Sequence, residues 1–489
     1  MKPLAALLPH IEWPSPLDAF LLQGLAFDSR EVSPGDAFVA VVGTHHDGRQ
    51  FVSDALNAGA SVVLRQADQF AIASHGEAWV IDVPGLTAAE LAEAWFDYPG
   101  RQLDITGVTG TNGKTSVCWF LRDALDALGQ PTAMIGTLGA GTKGAEQPTH
   151  HTTPDAYTLN RCLFQCAEQR VEQVVMEVSS HALDQHRLGQ VPIRAAVFTN
   201  LSRDHLDYHG DMNRYLAAKA RLFQRQELQL AVLNMDDAAS KTITTCLTDG
   251  VRCVTFGQHS SGVTVGCKAV DFHSKGMTLS LMIAGDSVPL SLPLFGEFNL
   301  SNMLAVAALL HGRGYANAAI KQALQAVTPV PGRMQPITAE LAPTVLVDYA
   351  HTPDGLTHAL AAVKQHFTGK VHCVVGCGGD RDSGKRPLMA AVAEKGCDVL
   401  TLTSDNPRSE SPQAIIDQMV AGLVGGAEIK QFVDRRQAIE DAIHGASEDD
   451  VVLIAGKGHE TTQTIMGRDL PFDDRVVAAN ALASRGALL

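Results

Sequence analysis

The sequence is short of several things, and each absence removes a class of function. It has no excess of positive charge: 53 acidic residues stand against 38 basic ones, a net charge of −15. So acidic a chain is poorly suited to the phosphate backbone, and nucleic acid is not an expected partner. No apolar run approaches the ~18 residues of a membrane span. The opening stretch, residues 1–20, lacks the basic cluster, the long apolar segment and the cleavage site of a secretory signal. No two of the nine cysteines form a Cys-x-x-Cys pair. An odd, scattered set reads as reduced core thiols in a cytoplasmic protein and sets structural zinc aside. Repeats and low-complexity tracts are also missing.

What is present is an ordinary globular composition, 45% hydrophobic and 19% charged, in a chain of 489 residues. That length suits about three domains. Short β-branched runs alternate with helical patterns: Ile105–Val108, Val174–Val178, Ala195–Thr199, Val371–Val375, Val399–Thr403 and Val451–Ala455. Runs of this kind predict buried strands of parallel α/β sheets, which place ligands at their carboxyl ends. The unusual polar clusters lie just after these runs. Breaks at Tyr98-Pro99-Gly100 and Val330-Pro331-Gly332-Arg333 divide the chain. The expected fold is α/β in three domains: a small N-terminal α/β domain (1–90), a central P-loop-type parallel-sheet domain (91–332) and a C-terminal Rossmann-like α/β domain (333–489).

The densest signal is Gly110-Thr111-Asn112-Gly113-Lys114-Thr115-Ser116, between a strand and a helix. Glycines let backbone N–H groups approach phosphate oxygens, and a helix N-terminus adds partial positive charge. Lys114 suits the β- and γ-phosphates, and Thr115 offers a hydroxyl to Mg²⁺. Val108 stands where the usual GxxxxGK[ST] spacing has glycine, so the working core is Gly110-x-x-Gly113-Lys114-Thr115. Nucleoside triphosphate binding is expected. Glu177 ends the next strand; it is placed either to coordinate Mg²⁺, which prefers oxygen ligands, or to bond loop amides. The segment Asn200–Gly210 is richer in polar groups than a loop needs, and His209 within it reads as a partly exposed loop histidine. Lys219 sits among alanines on a helix with apolar neighbours. By itself that is a solvated helix position; buried, such an amine loses its proton.

Gly110–Thr115, Glu177–His181, Asn200–Asp207, Asn299–Asn302 and Asp348–Pro353 together resemble the Mur ligase family, over essentially the whole chain. Its members make peptide bonds on peptidoglycan precursors using ATP. The resemblance implies a ligase that adds meso-diaminopimelate to the D-Glu γ-carboxylate of UDP-N-acetylmuramoyl-L-alanyl-D-glutamate through an acyl phosphate, working as a monomer. It implies Mg²⁺ held by Thr115, Glu177, His205 and Lys219, the last as a CO₂-derived carbamate. Lys114 joins Glu177, His205 and Lys219 as a catalytic group, with Asp204 and Asp207 orienting His205. Asn299, Arg333 and Asp348 are the further ATP contacts. Phe27, Ser29, Thr44, His45, His46, His151, Thr152, Thr153, Ser179, Gln185 and Arg187 are assigned to the UDP-linked substrate, although His151 replaces an expected asparagine. Arg381, Asp405, Asn406, Pro407, Arg408, Gly456 and Glu460 are assigned to diaminopimelate. The Asp-Asn-Pro-Arg segment is also an acceptable turn. The Arg408 guanidinium matches a carboxylate, which diaminopimelate carries where lysine has only an amine.

Overall fold

A computed structural model describes residues 1–43 and 46–486. The chain forms two compact units, Met1–Thr255 and Phe256–Leu489.

The first unit begins with a sheet of β1 (Leu25–Ala26), β2 (Ala37–Ala40), β3 (Val62–Ala67), β4 (Ala71–His75) and β5 (Ala78–Pro84), in the order β1-β2-β3-β5-β4. Helix α1 (Ala88–Trp95) follows, its first turn closed by the Thr87 side chain, which accepts from Glu90 N. The unit continues through β6 (Asp104–Thr109), α2 (Lys114–Ala127), β7 (Thr132–Gly136), β8 (Gly139–Thr142), α3 (Ala156–Glu168), β9 (Gln173–Glu177), α4 (Ser180–Asp184), β10 (Ile193–Phe198), α5 (Leu206–His209), α6 (Met212–Ala220) and β11 (Leu230–Asn234). The strands run in the order β8-β7-β9-β6-β10-β11, parallel except for the β7–β8 hairpin. Because both faces are covered, β6, β9 and β10 are buried along nearly their whole length rather than at alternate residues. Their carboxyl ends lie side by side, with Glu177 opposite Val108 and Phe198 opposite Thr109. The N-terminal sheet's helix docks on α3 through an aromatic file, with Phe27 5.4 Å and Phe96 5.3 Å from Tyr157.

The second unit opens with an antiparallel meander, β12 (Val265–His273), β13 (Gly276–Ile283) and β14 (Asp286–Leu292). The runs read from the sequence do not include it; its alternating buried and exposed residues mark a sheet with one wet face. Helices α7 (Glu297–Gly312) and α8 (Asn317–Gln325) lead to β15 (Gln335–Ile337), β16 (Thr344–Asp348), α9 (Pro353–His366), β17 (Val371–Val375), α10 (Lys385–Gly396), β18 (Val399–Thr403), α11 (Pro412–Val420), β19 (Glu428–Phe432), α12 (Arg435–Gly445), β20 (Val451–Ala455), the hairpin β21 (Thr462–Ile465) and β22 (Arg468–Pro471), and α13 (Asp474–Gly486). The sheet order is β15-β16-β20-β17-β18-β19, with the last five strands parallel. A fully buried ion pair, Arg435–Asp474 at 2.7 Å, also donates to Ser404 O and Ala455 O. It ties the ends of β18 and β20 together. Among the described residues no helix is long and apolar enough to cross a membrane.

Candidate active site

After β6 the chain turns through Gly110–Gly113 into α2. A Cβ added at Gly110 falls 1.9 Å from Thr199 Oγ1, so this turn has no room for a side chain. Gly113 caps α2 in the left-handed region, φ 85°. Thr199 Oγ1 donates to Asn112 O at 2.6 Å, and Asn200 Oδ1 accepts from Asn112 N at 2.9 Å. Thr111 Oγ1 lies 3.1 Å from the Tyr215 hydroxyl. Thr115 and Ser116 are buried in the first turn of α2.

The two lysines of this site meet on one carbonyl. Lys114 Nζ donates to Gly110 O at 3.0 Å and Thr111 O at 2.8 Å, and Lys219 Nζ donates to Gly110 O at 2.8 Å. Lys219 is 1% exposed and its amine lies 4.4 Å over the Tyr215 ring. Burial first, and Lys114 second, lower its pKa to about 6. At neutral pH the amine is therefore mostly uncharged. Tyr215 precedes Lys219 by one helical turn, a spacing that puts both on one face of α6.

Glu177, at the end of β9, is 1% exposed. Its Oε2 accepts from Thr115 Oγ1 at 2.9 Å and its Oε1 from Thr137 N at 2.7 Å. The loop-amide bond that the sequence allows is present, and the same carboxylate converges with the Thr115 hydroxyl. A carboxylate and a hydroxyl beside a phosphate loop are the hard oxygen donors Mg²⁺ takes, so these residues fit that ion. A Cβ on Gly136 would sit 2.3 Å from Glu177 Oε1, so β7 must end in glycine for the carboxylate to keep its place. Thr137 and Gly136 carry no sequence motif and escape reading from the sequence.

His205 adopts the left-handed region, φ 53°, with its side chain 46% exposed. Its backbone N–H donates to Asp204 Oδ1 at 2.9 Å, and its Nε2 is 3.4 Å from Asp204 Oδ2. The His181 ring meets it edge-on at 4.8 Å. Burial, then His205, lowers the His181 pKa to about 4. His209 is not a partly exposed loop residue: it closes α5, is 6% exposed, and bonds Ser180 Oγ at 2.9 Å. Packing against Tyr215 at 5.1 Å draws it inward. Among the described residues no three His, Cys, Asp or Glu side chains converge as a metal cluster. The oxygen donors that do converge here are the Glu177 carboxylate and the Thr115 hydroxyl.

Beside Glu177 lies a connected polar group. Thr153 Oγ1 donates to Glu177 O at 2.9 Å and accepts from Ser179 N at 2.9 Å. Arg187 Nη1 donates to Thr153 O at 2.9 Å, and Gln185 Oε1 accepts from Arg187 Nη2 at 2.6 Å. Thr152 Oγ1 accepts from Thr137 Oγ1 at 3.1 Å. The structure thus brings Thr152, Thr153, Ser179, Gln185 and Arg187 together. Phe27 is half-buried against Tyr157, and Ser29 opens a short turn capped by Asp28. His46 and His151 are exposed, and Thr44 and His45 lie outside the described residues.

In the second unit Asn299 and Asn302 do not cap α7. Gly296 holds that position, and both asparagines are buried in the first turns, with Asn299 Nδ2 donating to Phe295 O at 2.9 Å. Asp348 ends β16 with both oxygens engaged, accepting from Met334 N at 2.7 Å and Ala350 N at 2.8 Å. Burial pushes its carboxyl pKa up, and neighbouring Arg333 opposes that. Arg333 lies 4.6 Å over the Tyr349 ring.

A cavity of about 300 Å³ opens at the carboxyl ends of β16, β17, β18 and β20, and Arg381, Asp405, Asn406, Arg408, Gly456 and Glu460 line it. Six of the seven residues assigned to the amino acid thus share one cavity. Pro407 does not line it; its carbonyl lies 1.9 Å from where a Cβ on Gly379 would fall. The turn at residues 376–378 also lines it, Tyr349, His351 and Lys385 complete the wall, and the buried Lys457 stands behind it. Tyr349 and His351 lie in the Asp348–Pro353 segment, and Lys457 in the same Gly-Lys-Gly-His-Glu segment as Glu460, but the sequence reading assigns none of these four to the amino acid.

Three family models match the chain: "Mur ligase family, catalytic domain" at residues 22–93, "Mur ligase middle domain" at 108–310, and "Mur ligase, glutamate ligase domain" at 332–458. A protein of Alkalilimnicola ehrlichii, named UDP-N-acetylmuramoyl-L-alanyl-D-glutamate--2,6-diaminopimelate ligase, is 44% identical over 472 residues, covering 94% of each chain. A protein of the same name from Xanthomonas campestris is 45% identical over 471 residues, covering 96% of this chain and 95% of its own. A solved structure under that name superposes with a TM-score of 0.74 at 34% identity, covering 99% of both chains.

Proposed function

The chain belongs to the Mur ligase family, and on that premise we propose that it joins meso-diaminopimelate to the D-Glu γ-carboxylate of UDP-N-acetylmuramoyl-L-alanyl-D-glutamate, consuming ATP and releasing ADP and phosphate. The observation that carries this reading is the 300 Å³ cavity, where two guanidinium groups and two carboxylates wait for a zwitterionic head with an additional carboxylate. The domain division at 1–90, 91–332 and 333–489, the monomeric state and the cytoplasmic location belong to the same proposal.

In the first step a γ-carboxylate oxygen attacks the γ-phosphorus and ADP leaves. Lys114 and the N–H groups of Gly110–Thr115 hold the phosphates, with Asn299, Arg333 and Asp348 as further nucleotide contacts. Thr115, Glu177, His205 and Lys219, the last as a carbamate, would hold Mg²⁺, which would neutralise charge on the transferred group. Thr152, Thr153, Ser179, Gln185 and Arg187 bind the UDP-linked dipeptide, with Phe27, Ser29, Thr44, His45, His46 and His151 toward its nucleotide end. In the second step the amine of diaminopimelate attacks the acyl carbon, loses a proton, and phosphate departs. Arg381, Asp405, Asn406, Pro407, Arg408, Gly456 and Glu460 present that amine.

The test is phosphate release by the purified protein with ATP, Mg²⁺, UDP-N-acetylmuramoyl dipeptide and either meso-diaminopimelate or L-lysine. Release is expected with diaminopimelate only. Release with lysine alone would overturn the amino-acid assignment. In the same assay Gly136→Ala should lower kcat/KM at least tenfold, because the new methyl displaces Glu177 Oε1. Wild-type activity in that variant would remove Glu177 from the reaction.

A further inference from the structure

Lys457 is among the largest fully buried side chains in the molecule, at 0% exposure. A buried ammonium is costly unless its hydrogens are all taken. Here its Nζ donates to Thr462 O at 2.7 Å, Glu460 Oε2 at 3.0 Å and Asn406 Oδ1 at 3.1 Å. Two of these acceptors belong to cavity-lining residues, one from each of two different loops.

The bonds around it leave those residues little freedom. Asn406 Oδ1 also accepts from Thr464 N at 3.0 Å, which fixes the amide with its NH₂ toward Glu460. Asn406 Nδ2 then donates to Glu460 Oε2 at 2.8 Å. Both bonds to the Glu460 side chain land on Oε2, and Oε1 is the oxygen left for an incoming ammonium. The loop after β18 is stitched to the same hairpin by Gln463 Nε2 to Asp405 O at 2.6 Å and Arg408 N to Thr464 O at 2.9 Å. Lys457 is bonded to both sides of this seam.

We propose that Lys457 is a positioning residue for amino-acid selection: its buried ammonium fixes Asn406 and Glu460 so that one Glu460 oxygen faces the substrate ammonium. It touches no reacting atom and acts through Glu460. The inference rests on the diaminopimelate reading of the cavity.

The experiment compares Lys457→Met, Glu460→Gln and the double variant by steady-state phosphate release, titrating diaminopimelate and ATP separately. Lys457→Met should raise KM for diaminopimelate at least thirtyfold, with kcat within about fivefold and KM for ATP within twofold of wild type. The double variant should be no worse than the more severe single one, because both changes disable the same oxygen. Ethylammonium added to Lys457→Ala should recover diaminopimelate affinity by filling the vacated ammonium site. Should Lys457→Met fail to fold by its thermal transition, Lys457→Gln, which keeps donors for both partners, takes its place with a smaller rise expected. Additive losses, or equal losses in kcat and both KM values, would overturn the proposal. Wild type inactive with diaminopimelate would instead remove the underlying reading.

Discussion

Lys219→Met should lower kcat by at least a thousandfold while making the protein more stable at neutral pH. The loss in rate follows if the side chain is an anionic metal ligand, since methionine cannot take up CO₂. Forming that ligand requires a neutral amine: the nitrogen lone pair attacks CO₂, the N–H proton leaves, and a carbamate remains. The structure supplies the first condition, with the amine buried, sharing Gly110 O with Lys114, and its pKa down at about 6 from an ordinary 10.5. The gain in stability is the same fact viewed from the unfolded chain. Between pH 6 and 10.5 the unfolded lysine binds a proton that the folded one does not, so stability rises with pH across this window and falls as pH drops toward 6. At pH 8 the wild type carries a penalty of roughly 3 kcal/mol on this account, at 1.36 kcal/mol per pH unit, which methionine removes. Part is returned through the lost bond to Gly110 O. Thermal melts in CO₂-free buffer from pH 6 to 9 should show the wild type approaching the variant as pH rises. Parallel curves would mean that Lys219 is charged in the fold. Restoration of activity to Lys219→Ala by short carboxylic acids would identify the missing group as a carboxylate.

The parts legible in the sequence are those where one residue type has one use. Gly110, Gly113 and Lys114 announce a phosphate loop because only that backbone needs them, and the structure places them at the end of β6 as expected. Continuous apolar runs give away the parallel strands for the same reason. The antiparallel meander β12–β14 was missed because its half-exposed pattern resembles loop and edge sequence. Lys219 shows the other limit. A lysine among alanines is usually solvated, and only the tertiary packing of Tyr215, Gly110 and Lys114 around it changes its chemistry. His209 fails in the same way, since no local pattern signals its bond to Ser180. Thr137 and Gly136 matter through contact with a carboxylate some 40 positions further along, which no local reading can reach.

Arg408→Asn should cost between about thirtyfold and a few thousandfold in kcat/KM for meso-diaminopimelate, the range for leaving a charged substrate group without its partner, about 2–5 kcal/mol. The choice of asparagine matters. Arg408 sits in the left-handed region at φ 54°, held there by its N–H to Thr464 O at 2.9 Å and by Met466 N to its carbonyl at 2.6 Å. Alanine would add backbone strain to the loss of the guanidinium, whereas asparagine tolerates this conformation. Its own guanidinium is braced, with Nη1 donating to Gly379 O at 2.8 Å and a Gly378 Cβ position only 2.9 Å away. The group is therefore preorganised before substrate arrives, and binding spends little on ordering it. Lysine should gain nothing in absolute rate from Arg408→Asn, because it has no carboxylate at that end to lose a partner. The ratio of diaminopimelate to lysine use should accordingly collapse through the numerator alone. A fall of the same size for both amino acids would show that Arg408 serves the shared α-amino-acid head, and selection would then rest with Arg381, the other guanidinium lining the cavity.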